Sequence, residues 1–176
     1  VTTPEAPEVQ HYLSQMVKAG LTHVVLESTS HGLAQRRVAA CEFDIGVVTN
    51  ITHEHLDYHG SYEAYRAAKG RLFTSLAATR QKPQGNPRLA VINADDRSYE
   101  LLLKIIKTGK ISYSVKGIGD VNATDIHHSP KGLHFTAEME GVKQPIDCKI
   151  PGTFNVSNCL AAFAAAVEGL GIDPGI

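Results

Sequence analysis

The sequence predicts an α/β domain: a mostly parallel sheet flanked by helices, with a small antiparallel sheet appended. Short apolar runs alternate with helical segments between residues 22 and 114, and this alternation is typical of parallel α/β sheets. After Gly117 the pattern changes to an alternation of apolar and polar residues, which is typical of antiparallel strands with one solvated face. Both patterns fit within the 176 residues of a single domain.

Each element of the parallel part has its own local signal. Helices are predicted where apolar residues recur three and four positions apart. The first predicted helix starts near Pro4–Pro7 and ends at Gly20, and the others cover residues 62–78, 97–107 and 155–170. Strands buried on both faces are predicted in the short apolar runs at residues 22–27, 44–48 and 89–92, and a further strand is predicted at 110–114. The antiparallel strands are predicted at residues 121–127, 133–139 and 144–150, with turns at 130–132 and 140–141.

Composition excludes several classes of function. The net charge of -1 and the pI near 6.8 leave no basic footprint for nucleic acid or for an anionic membrane surface. No stretch approaches the roughly 20 apolar residues that span a bilayer, and we expect no signal peptide. Cys41, Cys148 and Cys159 are widely spaced in apolar surroundings, which predicts buried free thiols in a reducing compartment. We therefore expect a cytoplasmic location.

The first candidate site lies where the run 22–27 ends in Glu27, followed by Ser28, Thr29 and Ser30. A carboxylate at the end of a buried strand is costly unless it is paired or bound to a cation such as magnesium, which prefers hard oxygen ligands. A capping or salt-bridged glutamate explains the residue equally well. The three hydroxyls would in that case cap the next turn.

The second candidate site is the histidine-rich segment after the strand at 44–48, which contains His53, His55 and His59. The spacing does not match the HExxH pattern of a zinc protease helix, so zinc is disfavoured. One histidine beside magnesium or a phosphate is the better interpretation. Lys69, in the long helix, is either a solvated side chain or, if buried, a reactive amine. No GxxxxGK[ST] phosphate loop occurs in these residues.

Several motifs, taken in order along the chain, resemble the central domain of the Mur ligases. They are Thr2-Thr3-Pro4, the segment Glu27 to Leu33, Gln35 with Arg37, Thr49 to Thr52 leading into His55-Leu56-Asp57, Ala67-Ala68-Lys69, Asn93 to Asp96, and Gly152 to Asn158. These enzymes use ATP to add amino acids to the peptidoglycan precursor. The branch that extends UDP-N-acetylmuramoyl-dipeptide, MurE, is the most similar. The resemblance implies a P-loop NTPase-like fold over residues 1–176.

The resemblance also implies a mechanism and a set of roles. ATP would phosphorylate a carboxylate of the muramoyl peptide, and the amine of an amino acid would displace the phosphate. Glu27 and His55 would be magnesium ligands, and Lys69 would carry carbon dioxide as a carbamate that supplies a further oxygen ligand. The residues implied for the UDP-muramoyl substrate are Thr2, Thr3, Thr29, Gln35 and Arg37. Asn155 and Asn158 would face the adenine of ATP, although Asn155 could equally be a helix cap. For Asp95 and Asp96 a helix start is favoured.

The chain departs from the family pattern at Thr29, where serine is usual, and at Glu54, where aspartate is usual. We expect the family's phosphate loop upstream of Thr2 and its amino-acid-binding domain downstream of Ile176, so that residues 1–176 alone would be inactive. The alternatives are a related ligase acting on folate, cyanophycin or a lipid-linked muramoyl substrate, and a non-catalytic binding module of the same fold. Glu27, His55 and Lys69 together favour a working enzyme, and Gln35 with Arg37 favours the muramoyl-dipeptide branch.

Overall fold

One six-stranded sheet forms the centre of the fold in a computed structural model that describes residues 3–51, 56–83 and 85–175. The strands lie in chain order, and they are β1 (Ile45–Val48), β2 (Leu89–Asn93), β3 (Gly109–Ser114), β4 (Val121–Ser129), β5 (Gly132–Met139) and β6 (Val142–Cys148). The helices are α1 (Ala6–Lys18), α2 (Ser30–Ala34), α3 (Leu56–His59), α4 (Tyr62–Ala78), α5 (Tyr99–Ile105) and α6 (Phe154–Ala164). The predicted fold class is confirmed.

Strands β1 to β4 pair in parallel, and the register aligns the carboxyl ends of β1, β2 and β3. Val48 pairs with Ile92, and Asn93 pairs with Tyr113. Connections between parallel strands cross over the sheet, so the polar loops that follow β1 and β2 emerge on the same edge. This edge carries most of the candidate site.

Two hydrophobic cores cover the two faces of the sheet. On one face, α4 packs through Phe73 and Leu76 against Ala90 and Ile92 of β2. On the other face, α6 packs through Val156, Leu160 and Ala164 against strands β2 to β5. Alternate residues of β2 therefore enter opposite cores, as expected for a strand that is buried on both sides.

The antiparallel strands continue the main sheet instead of forming a separate one. β4 joins β3 through two parallel pairs, Tyr113 with Val121 and Ser114 with Asn122, and β5 and β6 then follow in antiparallel order. The turn predicted at residues 130–132 is present at residues 130–131, with Gly132 already in β5, and the turn predicted at 140–141 is present. The predicted last helix continues from α6 into a π-helical turn, Ala165–Gly169, before Gly171.

The strand predicted at residues 22–27 is wrong. Residues 21–29 have no regular secondary structure. Val25 is fully exposed, and Leu21 and Val24 are 58% and 50% exposed. β1 pairs only with β2 among the described strands, so no ladder contains this run. An apolar run becomes a strand only when a neighbour completes its backbone hydrogen bonds. Glu27 is accordingly exposed and does not end a buried strand.

No helix within the described residues is both long enough and apolar enough to cross a membrane.

The prediction of three buried thiols is wrong in one respect: Cys41, Cys148 and Cys159 are all free, but each is only partly buried.

Candidate functional site

The segment that leaves β1, residues 49–51 and called here the β1 exit, is held by side chains from three other elements. The amide of Asn93, at the end of β2, donates to the Thr49 carbonyl at 2.8 Å. The Tyr113 hydroxyl, on β3, donates to the same carbonyl at 3.4 Å. Tyr62, on α4, donates to the Ile51 carbonyl at 3.3 Å. These bonds fix the point where the chain enters the histidine-rich segment.

Asp95 and Asp96 anchor loops at this same edge of the sheet. The Asp96 carboxylate accepts from the Ile51 backbone N–H at 3.1 Å and from the Ser98 N–H at 2.8 Å. The second of these bonds leads into α5, as the predicted helix start requires. Asp95 instead accepts from the Ser114 hydroxyl and the Val115 N–H, both at 2.7 Å. It therefore ties the loop after β2 to the end of β3.

Tyr113 lies fully buried beneath the β1 exit. Burial raises the pKa of its phenol well above the usual value, a hydrogen bond with Ser157 opposes the shift, and the nearby Asp96 and Asp95 carboxylates add to it. Tyr113 is therefore a neutral hydrogen-bond donor at any physiological pH. Because Ser157 lies in the first turn of α6, this contact brings that helix to the β1 exit.

Lys69 extends from α4 to the β1 exit. Its Nζ donates to the Asn50 carbonyl at 3.1 Å and lies 5.4 Å from the centroid of the Tyr65 ring. The side chain is partly buried, so it is neither freely solvated nor sealed in the core. The N-cap of the helix is Ser61, whose hydroxyl accepts a hydrogen bond from the Ala64 N–H. Helical geometry then carries Lys69 two turns further along, to the carboxyl edge of β1.

Thr3 is fully buried and joins the N-terminal segment to the loop before α2. Its hydroxyl donates to the Glu27 carbonyl at 3.0 Å and accepts from the Thr29 N–H at 2.9 Å. Thr29 in turn caps α2 by accepting from the Gly32 N–H at 3.1 Å. A Cβ on Gly32 would lie 2.9 Å from the Thr3 side chain, so only glycine permits this approach. Both threonines have structural roles in addition to the predicted substrate roles.

Arg37 connects α2 to the start of the chain. Its guanidinium donates to the Thr3 carbonyl at 2.8 Å and to the Gln35 side chain at 2.8 Å, and it pairs with Glu5 at 2.9 Å. Only 15% of the Arg37 side chain is exposed, against 63% for Glu5. Gln35 also donates to the Tyr58 hydroxyl at 3.0 Å. The structure thus brings Thr3, Thr29, Gln35 and Arg37 together in one connected network.

Asn155 and Asn158 lie in the first turns of α6, but neither is the N-cap, which is Thr153. The buried Asn155 amide donates to the Pro151 carbonyl at 2.8 Å and therefore closes the loop before the helix. The exposed Asn158 donates to Asn155 at 3.2 Å. Ser157, between them, is 3.5 Å from the Asn93 amide.

The remaining predicted residues divide into two groups. Glu27 is described and exposed, and its carbonyl accepts from Thr3. Thr2 and His55 lie outside the described residues, so the convergence of Glu27, His55 and Lys69 stays a prediction. Within residues 3–51, 56–83 and 85–175, no group of three or more histidine, cysteine, aspartate or glutamate side chains could hold a metal ion.

Sequence reasoning missed an aromatic cluster between α2, α3 and α4. His31 lies 4.0 Å from Tyr58, and His59 lies 5.3 Å from Tyr65, measured between ring centroids. Tyr65 also underlies Lys69. The cluster links the Arg37–Gln35 network to the lysine. The repeated appearance of histidine and tyrosine at the ends of short elements is the only signal that could have indicated it.

The fold and the site define an α/β domain whose polar side chains converge at the carboxyl ends of parallel strands, the position at which such sheets bind ligands. Residues 1–166 match the family model of the Mur ligase middle domain, and the chain belongs to that family.

Relatives of known name support the same branch as the sequence motifs. The UDP-N-acetylmuramyl-tripeptide synthetase of Roseiflexus sp. (strain RS-1) is 40% identical over 98% of this chain and 35% of its own length. The UDP-N-acetylmuramoyl-L-alanyl-D-glutamate--2,6-diaminopimelate ligase of Caldanaerobacter subterraneus subsp. tengcongensis is 38% identical over 97% of this chain and 33% of its own length. The chain thus spans about a third of these curated relatives.

A solved structure of a UDP-N-acetylmuramoyl-L-alanyl-D-glutamate--2,6-diaminopimelate ligase has the same fold as this chain. It superposes with a TM-score of 0.85 at 33% identity and covers 98% of this chain and 34% of its own. The predicted resemblance to the Mur ligases and to their MurE branch is therefore confirmed.

Proposed function

We propose that this chain is the central domain of an ATP-dependent ligase that adds an amino acid to UDP-N-acetylmuramoyl-dipeptide in peptidoglycan synthesis. The observation that carries the proposal is the meeting of Lys69 and the start of α6 at the β1 exit. In this scheme the carboxylate of the dipeptide takes a phosphoryl group from ATP. The amine of the amino acid then attacks the acyl phosphate, and phosphate leaves as the amide forms.

We propose that the two sides of the β1 exit bind different ligands. Asn155 and Asn158 in α6 would contact the adenine of ATP on one side. The network of Thr3, Thr29, Gln35 and Arg37 would hold the UDP-muramoyl part on the other, together with Thr2. The main contribution to rate in such a reaction is the alignment of anionic groups, so rigid positioning matters more than proton transfer. Side chains bonded to backbone carbonyls, as Asn93 and Tyr113 are, supply that rigidity.

Lys69 can contribute to a magnesium site at the β1 exit only if its amine is modified. An ammonium group is a donor and binds no cation, whereas a carbamate on the same nitrogen presents two hard oxygens. The carbamate N–H could keep the bond to the Asn50 carbonyl while its oxygens extend beyond it. Glu27 and His55 are the further proposed ligands. Magnesium, when bound, would neutralise charge on the transferred phosphoryl group.

Two substitutions of Lys69 in the full-length protein test the proposal. Lys69→Ala removes the amine, and Lys69→Arg keeps a cation that can reach the Asn50 carbonyl but cannot carry carbon dioxide. We expect both to lower the rate of phosphate release by about 100-fold or more, with ATP, UDP-muramoyl-dipeptide and an amino acid present. Added bicarbonate should not restore the activity of Lys69→Ala.

The matched controls are Lys104→Ala and Lys104→Arg, because Lys104 is an exposed lysine in the last turn of α5. Both should keep full activity. Retention of more than a third of the activity by Lys69→Arg would show that a cation suffices and would refute the carbamate. Full activity in Lys69→Ala would refute the placement of the reaction at the β1 exit.

The choice of substrate is tested separately by turnover with folate, cyanophycin or lipid-linked muramoyl acceptors. We expect turnover only with UDP-muramoyl-dipeptide, and activity with another acceptor alone would reassign the branch. Tight binding of the UDP-linked dipeptide without any turnover in the full-length protein would favour a non-catalytic module.

A further inference from the structure

Tyr58 extends the proposed substrate network by one residue. Its hydroxyl accepts a hydrogen bond from the Gln35 amide nitrogen at 3.0 Å, and the Gln35 amide oxygen accepts one from the Nε of Arg37 at 2.8 Å. The Arg37 guanidinium also donates to the Thr3 carbonyl at 2.8 Å. The four residues therefore form one chain of hydrogen bonds, and Tyr58 is its outer end.

This chain fixes the orientation of the Gln35 amide. A glutamine can turn either its oxygen or its nitrogen toward a neighbour, but Arg37 has only donors and therefore requires the oxygen. The amide nitrogen then faces the Tyr58 hydroxyl, so the amide is held at both of its polar atoms. Gln35 is exposed, and an exposed glutamine loses several rotamers when it binds a ligand. Holding it in advance lowers that cost.

The ring of Tyr58 is held in place although its side chain is 45% exposed. The His31 ring, on α2, lies 4.0 Å from it, and the His59 ring meets it edge-on at 4.9 Å, measured between centroids. His59 in turn contacts the buried ring of Tyr65 on α4 at 5.3 Å. Ring contacts of this kind favour one arrangement of the aromatic side chains. The Tyr58 hydroxyl is therefore fixed at the surface, where a ligand can reach the amide that it orients.

We propose that Tyr58 is a positioning residue for the UDP-muramoyl substrate: it orients the Gln35 amide, and with it the Arg37 guanidinium, toward oxygen atoms of that substrate. The inference rests on the proposed function, in which Gln35 and Arg37 bind the UDP-muramoyl part. Tyr58 takes no part in phosphoryl or proton transfer. Its contribution therefore lies in the affinity for the substrate and not in the turnover rate at saturation.

Tyr58→Phe in the full-length protein tests the proposal, because it removes the hydroxyl and keeps the ring between the two histidines. We expect the Kd for UDP-muramoyl-dipeptide, measured by calorimetry without ATP, to rise about five- to tenfold, which corresponds to the loss of one neutral hydrogen bond. The KM for this substrate should rise by the same factor, while kcat and the KM for ATP stay unchanged.

The matched control is Tyr12→Phe. Tyr12 is 49% exposed and also lies beside a histidine ring, that of His11, at 6.0 Å between centroids. None of the residues that the structure describes forms a hydrogen bond with its hydroxyl. Tyr12→Phe should therefore leave the Kd and both KM values unchanged.

A double-mutant cycle shows whether Tyr58 acts through Gln35. Once Gln35 is replaced by alanine, the hydroxyl has no amide left to orient. Gln35→Ala and the double variant Gln35→Ala/Tyr58→Phe should therefore bind the substrate equally well, within about twofold. Effects of the two substitutions that multiply in the double variant would overturn the proposal, because Tyr58 would then act independently of Gln35.

Two further results would overturn the positioning role. One is a Kd of Tyr58→Phe equal to that of the parent protein, and the other is a parallel rise in the KM for ATP, which would indicate a general disturbance of the fold. The parent protein separates this inference from the proposed function. Absence of any binding of UDP-muramoyl-dipeptide to the parent would refute both, whereas equally tight binding by the parent and by Tyr58→Phe would refute only the role of Tyr58.

Discussion

Replacing Arg37 by alanine separates a structural role of this guanidinium from a role in substrate binding. The side chain is 15% exposed and donates to the Thr3 carbonyl, next to a threonine that is fully buried. A buried carbonyl left without a donor costs about 1–3 kcal/mol. The bond to the exposed Gln35 adds about 1 kcal/mol, and the ion pair with the 63% exposed Glu5 adds at most about 1 kcal/mol. We therefore expect Arg37→Ala to lower the free energy of unfolding by about 2–5 kcal/mol.

Urea unfolding followed by circular dichroism measures this change, with the slope of the transition checked for constancy. Glu5→Gln is the matched control, since it removes the ion pair but leaves the Thr3 carbonyl bonded, and it should cost less than about 1 kcal/mol. A stability of Arg37→Ala within about 0.5 kcal/mol of the parent protein would refute the structural argument. If that result came with a raised KM for the UDP-linked substrate, Arg37 would serve the substrate alone.

Two further predictions concern the antiparallel part of the sheet. Gly132→Ala should destabilise the fold by roughly 3 kcal/mol or more, because Gly132 has φ +139 and a new Cβ would lie 2.2 Å from the Cys148 carbonyl oxygen. Gly60→Ala is the control, because Gly60 has φ +72 but open space around it. It should lower the free energy of unfolding, measured with heat or urea, by only about 1–2 kcal/mol. The hydrogen bond from Lys143 holds the pKa of Glu138 below its ordinary value of 4.5, so its contribution to stability is present above that pH and is lost as the pH falls through the lowered pKa. Glu138→Gln should reduce the dependence of unfolding on pH below about 4.5, and an unchanged pH profile would contradict the pairing.

Elements whose signal is local were predicted well from the sequence. The helix predicted at residues 62–78 matches α4, and the strand predicted at 89–92 differs from β2 by one residue. In both elements, the spacing of apolar residues along the sequence is enough to indicate the element and its buried face. The strand predicted at 22–27 has an equally good apolar run, but a strand also needs a neighbour, and composition carries no information about that neighbour.

The candidate site was predictable in its residue types but not in its contacts. Thr29 caps α2, as the alternative interpretation of the hydroxyls expected. The bonds that organise the β1 exit could not be foreseen, because the Asp96 carboxylate and the Ile51 N–H that it accepts from lie in different crossovers of the sheet. Asn155 was considered as an N-cap, yet Thr153 precedes the helix and Asn155 binds back to Pro151. Side-chain bonds to distant backbone depend on the register of strands, which no local pattern encodes.

The same polar groups both build the site and are the groups proposed to act in it, and this affects how substitutions there are interpreted. Thr3 and Arg37 already bond to backbone or buried partners, so a loss of activity in their variants can arise from displacement of the loop before α2. Lys69 differs, because its bond to the Asn50 carbonyl is made from a partly buried side chain that Lys69→Arg can replace. A variant that keeps its free energy of unfolding and loses turnover therefore identifies a chemical role. Among the predicted residues, Lys69 is where that separation should be clearest.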